Sequence, residues 1–416
     1  MGNTEVFKNK SFTLLFLGKM VSDLGDQIFN LAVGWHILKI TNSAFQMSIY
    51  ISIGTIIHLL LGPYGGVIAD RVDRIKIIYM ADIIRGITLL SLTLIMYMGI
   101  ESIGVYYISS AVISICGAFF YPASMSIIPD VVEEEELTNA NSLISMIQSF
   151  SSSVGLLMGG LLYGVVGIRG VFIINALTYL ISGIWEMFIK TRKCTILNEN
   201  HLKNSVFKDL QEAFVIIKKE KSLYLILTFS IVLNFFITPL IVIFIPYMLN
   251  QHLKTEPIAL SFVQGAGSAG YILGAMMLPS LSKISKSNKR IVTGTILYSA
   301  TTLMISILLI LNFKGLVNVK YLIIYTIVSM GAMGIFNAII NITINILMQK
   351  IVLKKYLGRV NALSSTMVMA VTPISMVLGG RLVDKFSLIN LMFITALSLI
   401  FISLIFSFKK EIINIQ

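Results

Sequence analysis

The sequence predicts an all-helical integral membrane protein of twelve transmembrane helices arranged as two pseudo-symmetric six-helix bundles, and three observations predict it. First, 56% of its 416 residues are hydrophobic and only 12% are charged, with a mean hydropathy of +0.87, a composition outside the range of soluble domains. Second, apolar runs long enough to cross a bilayer, about 20 residues each, recur twelve times. Third, the second half repeats the first. A shift of 220 positions places Asn141 on Asn361, Leu143 on Leu363, Ser145 on Ser365, Gly159-Gly160 on Gly379-Gly380, Ile174 on Ile394 and Ala176-Leu177 on Ala396-Leu397 without a gap. Such a repeat predicts two bundles related by an axis along the membrane normal.

The runs fall near residues 12–38, 45–69, 75–98, 103–125, 139–164, 169–189, 222–249, 258–281, 291–312, 320–349, 358–384 and 387–408. They define an N-terminal six-helix bundle over 1–189, a linker over 190–221 and a C-terminal six-helix bundle over 222–416. The linker is polar and basic, and its amphipathic stretch from Val206 to Lys219 predicts a helix lying on the inner membrane surface.

The formal charge of +12 raises the possibility of a nucleic-acid surface, and the placement of the charges argues against it. Of the 32 basic residues, 23 fall in segments on one side of the predicted membrane, 7 on the other, and Lys19 and Arg85 within spans. Cytoplasmic loops retain Lys and Arg, so this asymmetry places both termini in the cytoplasm. The first run carries Lys19, Asp23 and Asp26 and lacks a small-residue cleavage site, so it reads as a retained span. Two cysteines, Cys116 in a span and Cys194 in the linker, form no disulfide framework. Heavy use of Ile, Lys and Asn fits an AT-rich, bacterial genome, and the plasma membrane is the expected location. No Cys/His metal spacing and no nucleophile elbow is present, so neither an enzyme nor a metal or other cofactor is expected.

Ionisable residues within spans are expensive and face a bundle interior or a watery cavity by default. At 100° per residue, Lys19, Asp23, Asp26 and Asn30 form one stripe within about 60° of a helix face. Lys19 can pair with Asp23 four residues on, which leaves Asp26 as the better protonatable or ligand-facing group. Asp82 and Arg85, three apart, read as a structural pair. Glu186 closes the sixth span and reads as interfacial. Gly155, Gly159, Gly160, Gly379 and Gly380 read as helix-packing positions. The spans of the second half hold amides instead of charges, with Asn337 and Asn341 four apart on one face. These can bind a ligand or zip helices together.

The stretch Gly66-Val67-Ile68-Ala69-Asp70-Arg71-Val72-Asp73-Arg74 sets charges against the end of one run and the start of the next. With a Gly one turn ahead of Ala-Asp-Arg and then a second Arg, it resembles the loop between helices 2 and 3 of the major facilitator superfamily. Phe119-Phe120-Tyr121-Pro122-Ala123, Ile128-Pro129-Asp130, the acidic run Glu133–Glu136, Asn139-Ala140-Asn141 and Tyr356-Leu357-Gly358-Arg359-Val360 are similar to the branch holding macrolide-efflux and enterobactin-export proteins. This sequence departs from the family at Asp73, where Gly is usual, at Ile75, where a basic residue is usual, and at Leu156, where the exporter motif carries Pro.

The resemblance implies a cytoplasmic gate of Gly66, Asp70, Arg71, Arg74, Asp130 and Arg359, with Asp70 at the N-terminus of the helix opening at Gly358-Arg359 and Arg74 paired to Asp130. It also implies a cavity lined by helices 1, 4, 7 and 10, which would carry Asp26, Asn30, Asn337 and Asn341 with Phe119, Tyr121 and Phe236. The expectation is a monomeric secondary exporter of a lipophilic or amphipathic small molecule of the drug or macrolide type. Protons would be the coupling ion, with antiport by alternating access and a part in multidrug resistance. Rival expectations are a lipid, lysolipid or siderophore transporter on the same fold, or a non-transporting membrane receptor.

Overall fold

The structure, a computed structural model, describes residues 6–191 and 206–408. Twelve helices carry it: α1 (Lys10–Thr41), α2 (Ala44–Arg71), α3 (Arg74–Tyr97), α4 (Ile103–Ser126), α5 (Leu137–Glu186), α6 (Val206–Lys219), α7 (Lys221–His252), α8 (Pro257–Ile284), α9 (Ser287–Phe313), α10 (Val319–Ile351), α11 (Leu357–Lys385) and α12 (Leu388–Ser407). No strand occurs among the described residues.

Among the described residues, ten stretches are long and apolar enough to cross a membrane, and two physical details reconcile that number with twelve spans. At about 1.5 Å per residue, the 50 residues of α5 would extend far beyond a hydrocarbon core about 30 Å thick. Gly167, with φ 65 and ψ −174, breaks the helix near its middle and makes two arms of it. An L side chain resists that backbone, so Gly is what allows the reversal. The other case is α1, whose 32 residues suffice for a crossing but whose Lys19, Asp23 and Asp26 make it too polar to count among the ten.

Helix starts are specified locally. Asn9 caps α1 by accepting from the amides of Ser11 (3.0 Å) and Phe12 (3.2 Å). Asp73 accepts from the Ile75 amide at 3.0 Å and caps α3, which gives this family-atypical residue a structural role. Within α7, the stretches Leu240–Phe244 and Met248–His252 are π-helical, following Pro239 and Pro246, which have no N–H to offer the α-helical ladder.

The chain divides into two compact units. Unit 1 holds residues 1–42, 49–199 and 256–261; unit 2 holds 43–48, 200–255 and 262–416. Helix α6 thus groups with unit 2, and so does the first turn of α2. In unit 1, α1 lies along both arms of α5. A Cβ on Gly155 would sit 2.5 Å from the Gln27 Cβ, and one on Gly25 would sit 2.4 Å from the Asn175 side chain on the second arm. In unit 2, α8 and α10 cross backbone to backbone, a Cβ on Gly270 falling 1.9 Å from the Gly331 carbonyl oxygen. Gly379 meets Pro239, and Gly380 meets Ala44 and Ser48. The aspartate Asp384 closes α11 and caps the start of α2, accepting from Ser43 Oγ (2.5 Å) and the amides of Ala44 (2.7 Å) and Phe45 (3.2 Å).

Candidate functional site

Charged side chains of α1, α3 and α5 converge in the core of unit 1. Lys19, buried in α1, bridges Asp23 at 3.1 Å, and its ammonium sits 5.7 Å from the Phe120 ring centroid and 5.8 Å from that of Tyr121. On α3, Asp82 and Arg85 form a fully enclosed pair at 3.0 Å. The Arg85 guanidinium lies 4.9 Å from the Phe120 ring and 5.2 Å from that of Tyr179. Such ring faces stabilise a desolvated cation. The hydroxyl of Tyr179, on the second arm of α5, donates to Asp26. Asn30, one turn further, is exposed and accepts from Tyr50 at 3.5 Å.

Glu186, expected to be interfacial, is enclosed by protein. The side chain is fully buried, with the backbone of α1 covering it: a Cβ on Gly18 would fall 3.3 Å from Glu186 Oε1. Ser182 donates to that oxygen at 3.2 Å. The last turn of the sixth span therefore turns inward, because the small Gly18 leaves room for a carboxyl there.

A second charged group closes one end of the same unit. Arg74 bridges Asp130 at 2.6 Å and Asp70 at 3.3 Å, and also donates to the carbonyls of Ala69 (3.1 Å) and Ser126 (3.0 Å). One guanidinium thus fastens the end of α2 and the end of α4. Arg71 is exposed beside it. The close helix approach is at Gly65 and not at Gly66: a Cβ on Gly65 would fall 2.0 Å from the Ala118 carbonyl oxygen, whereas one on Gly66 meets nothing within 4 Å.

The sequence model of the Major Facilitator Superfamily matches residues 15–375. The chain belongs to the major facilitator superfamily. It is a transporter and a multi-pass membrane protein. Macrolide efflux protein A of Streptococcus pyogenes is 24% identical over 401 residues, covering 96% of each chain. The MFS-type transporter YkuC of Bacillus subtilis is 27% identical over 412 residues, covering 92% of this chain and 87% of its own. Among solved structures, a mutant of the nucleoside transporter NupG superposes with a TM-score of 0.73 at 12% identity, over 96% of this chain and 100% of that one. A bacterial homologue of the iron transporter ferroportin in an inward-facing state gives 0.67 at 19% identity, over 96% and 99%. At these identities the likeness to solved structures concerns the fold alone.

Within this superfamily member, the expected site residues divide between the units. Lys19, Asp23, Asp26, Asn30, Phe119 and Tyr121 stand in unit 1, and Phe236, Asn337 and Asn341 in unit 2. Asn341 donates to the side chain and backbone of Asn337, so the two amides bond to each other along α10. Phe236 packs edge-on to Phe235 at 5.3 Å. Arg359 bridges Glu212 of α6 at 2.7 Å. Tyr179, Ser182 and Glu186 join the cluster without having been singled out as site residues in the sequence. Their spacing on the second arm of α5 was the available signal, three and four residues apart along one face. Cys194 lies outside the described residues.

Proposed function

We propose that this transporter is a secondary exporter of lipophilic or amphipathic small molecules, driven by proton entry through the carboxylates of α1. The observation that carries this reading is Asp26: a half-buried aspartate on a spanning helix, held by Tyr179 beside a buried Arg85. Such a group can exchange a proton with water while neighbouring charges sense its state. Asp23, tied to Lys19, is the second exchangeable acid. The macrolide efflux relatives support a bulky, largely apolar cargo, as does the scarcity of charge in the spans of the second half. Arg74 with Asp70 and Asp130 serves as the cytoplasmic tie, with both termini on that side and the monomer as the working unit.

The test is uptake of a radiolabelled macrolide into inverted vesicles under an imposed proton gradient, comparing wild type with Asp26→Asn. Gradient-driven uptake in wild type and its loss in the variant support the reading. Wild-type uptake indifferent to the gradient, or uptake that persists unchanged in Asp26→Asn, overturns it.

A further inference from the structure

Four carboxylates gather in the core of unit 1, and three of them have a charged or phenolic partner. Lys19 serves Asp23, Arg85 serves Asp82 and Tyr179 serves Asp26. Glu186 has none of these. Its Oε1 accepts from Ser182, and its Oε2 is buried without a hydrogen-bond partner, as is the second oxygen of Asp82. The charged groups that face Glu186 are Lys19 from α1 and Asp82 and Arg85 from α3, with Ser182 on its own helix. Both cations are already committed to other acids.

An ionised carboxylate enclosed without a cation is among the most expensive things a protein can bury, and such a group neutralises itself instead. Asp82 and Glu186 are the two fully enclosed acids, and with Arg85 bridging Asp82 and Lys19 bridging Asp23 no base is left to offset a charge on Glu186; no cluster of metal-binding side chains is present among the described residues. Glu186 is also the last residue of α5, where the free carbonyls give the helix end a partial negative charge that opposes a carboxylate.

We propose that Glu186, backed by Asp82, is a proton-binding site of its own, separate from Asp26. A proton from water forms the O–H bond on Glu186 Oε2, leaving Oε1 as the carbonyl oxygen that accepts from Ser182. The site holds this proton in the conformation described here, in which α1 covers it through Gly18. Its place in transport, as a second proton exchanged per cycle, rests on the proton-driven reading above; its occupancy does not.

Occupancy is read by infrared spectroscopy of the purified full-length chain in lipid nanodiscs at neutral pH. The wild type is expected to show the carbonyl stretch of a buried protonated acid, lost in Glu186→Gln and retained in Asp26→Asn. Identical spectra for wild type and Glu186→Gln would overturn the proposal. Should Glu186→Gln not fold, Ser182→Ala removes the donor to Oε1 and is expected to move the band to higher frequency; an unmoved band counts against the site. A Glu186 band without gradient-driven uptake sinks the exporter reading and leaves the site standing. Gradient-driven uptake without the band does the reverse.

Discussion

Tyr179 donates its phenolic hydrogen to Asp26 from 153 positions further along the chain, joining the first spanning helix to the second arm of α5. The same ring lies over Arg85, so one tyrosine links the acid of α1 to the ion pair of α3.

Tyr179→Phe keeps the ring over Arg85 and removes only the hydroxyl. A hydrogen bond to a charged group contributes about 1.5–3 kcal/mol, and each 1.4 kcal/mol is about tenfold. Gradient-driven uptake in inverted vesicles is therefore expected to fall by roughly tenfold or more. Tyr179→Phe at wild-type rates would separate this bond from transport.

Arg74 gives a stability prediction with an internal order. The Asp130 side chain is 15% exposed and that of Asp70 is 35% exposed, so water replaces Arg74 more readily at Asp70. Arg74→Ala is expected to destabilise the chain by about 1–3 kcal/mol. Asp130→Asn should lower the midpoint of thermal unfolding in detergent more than Asp70→Asn does.

Neighbouring glycines of α2 should behave oppositely. A methyl at Gly65 collides with a backbone carbonyl that cannot rotate away, and overpacking of this kind costs about 1–3 kcal/mol. Gly66 faces open space. Thermal unfolding of Gly65→Ala should be lowered, with Gly66→Ala close to wild type.

Asp384 satisfies two backbone amides and one hydroxyl at the start of α2. Loss of such a cap costs about 0.5–2 kcal/mol. Asp384→Ala should lower stability by that amount, and Asp384→Asn, which retains an acceptor oxygen, should recover part of it. Equal losses in the two variants would assign the effect to charge instead of hydrogen bonding.

The exposed bridge between Arg359 and Glu212 should matter little to stability. Their side chains are 42% and 46% exposed, and ion pairs in water contribute about 0–1 kcal/mol. Glu212→Ala is expected to leave the unfolding midpoint within a degree or two of wild type by the usual conversion for a large domain.

The membrane class, the helices and the internal repeat could be read from the chain, because bilayer thickness dictates the length of apolar runs and repeated packing positions keep their register. The stripe Lys19, Asp23, Asp26 and Asn30 was legible for the same local reason: residues three and four apart share a helix face. What the chain could not disclose is which distant groups meet that stripe. Gly18 opens the space into which Glu186 turns, Gly25 lets Asn175 and Thr178 approach, and Tyr179 then reaches Asp26. Those meetings follow from how closely two backbones cross, a property of three-dimensional packing that hydropathy and periodicity do not encode. The sequence by itself thus determined that charges sit within spans and on which helix face. Beyond the local pairs Lys19–Asp23 and Asp82–Arg85, only the tertiary structure decided that Tyr179 reaches Asp26 and that Glu186 is enclosed without a counter-ion, because those meetings depend on helix crossings between residues more than a hundred positions apart.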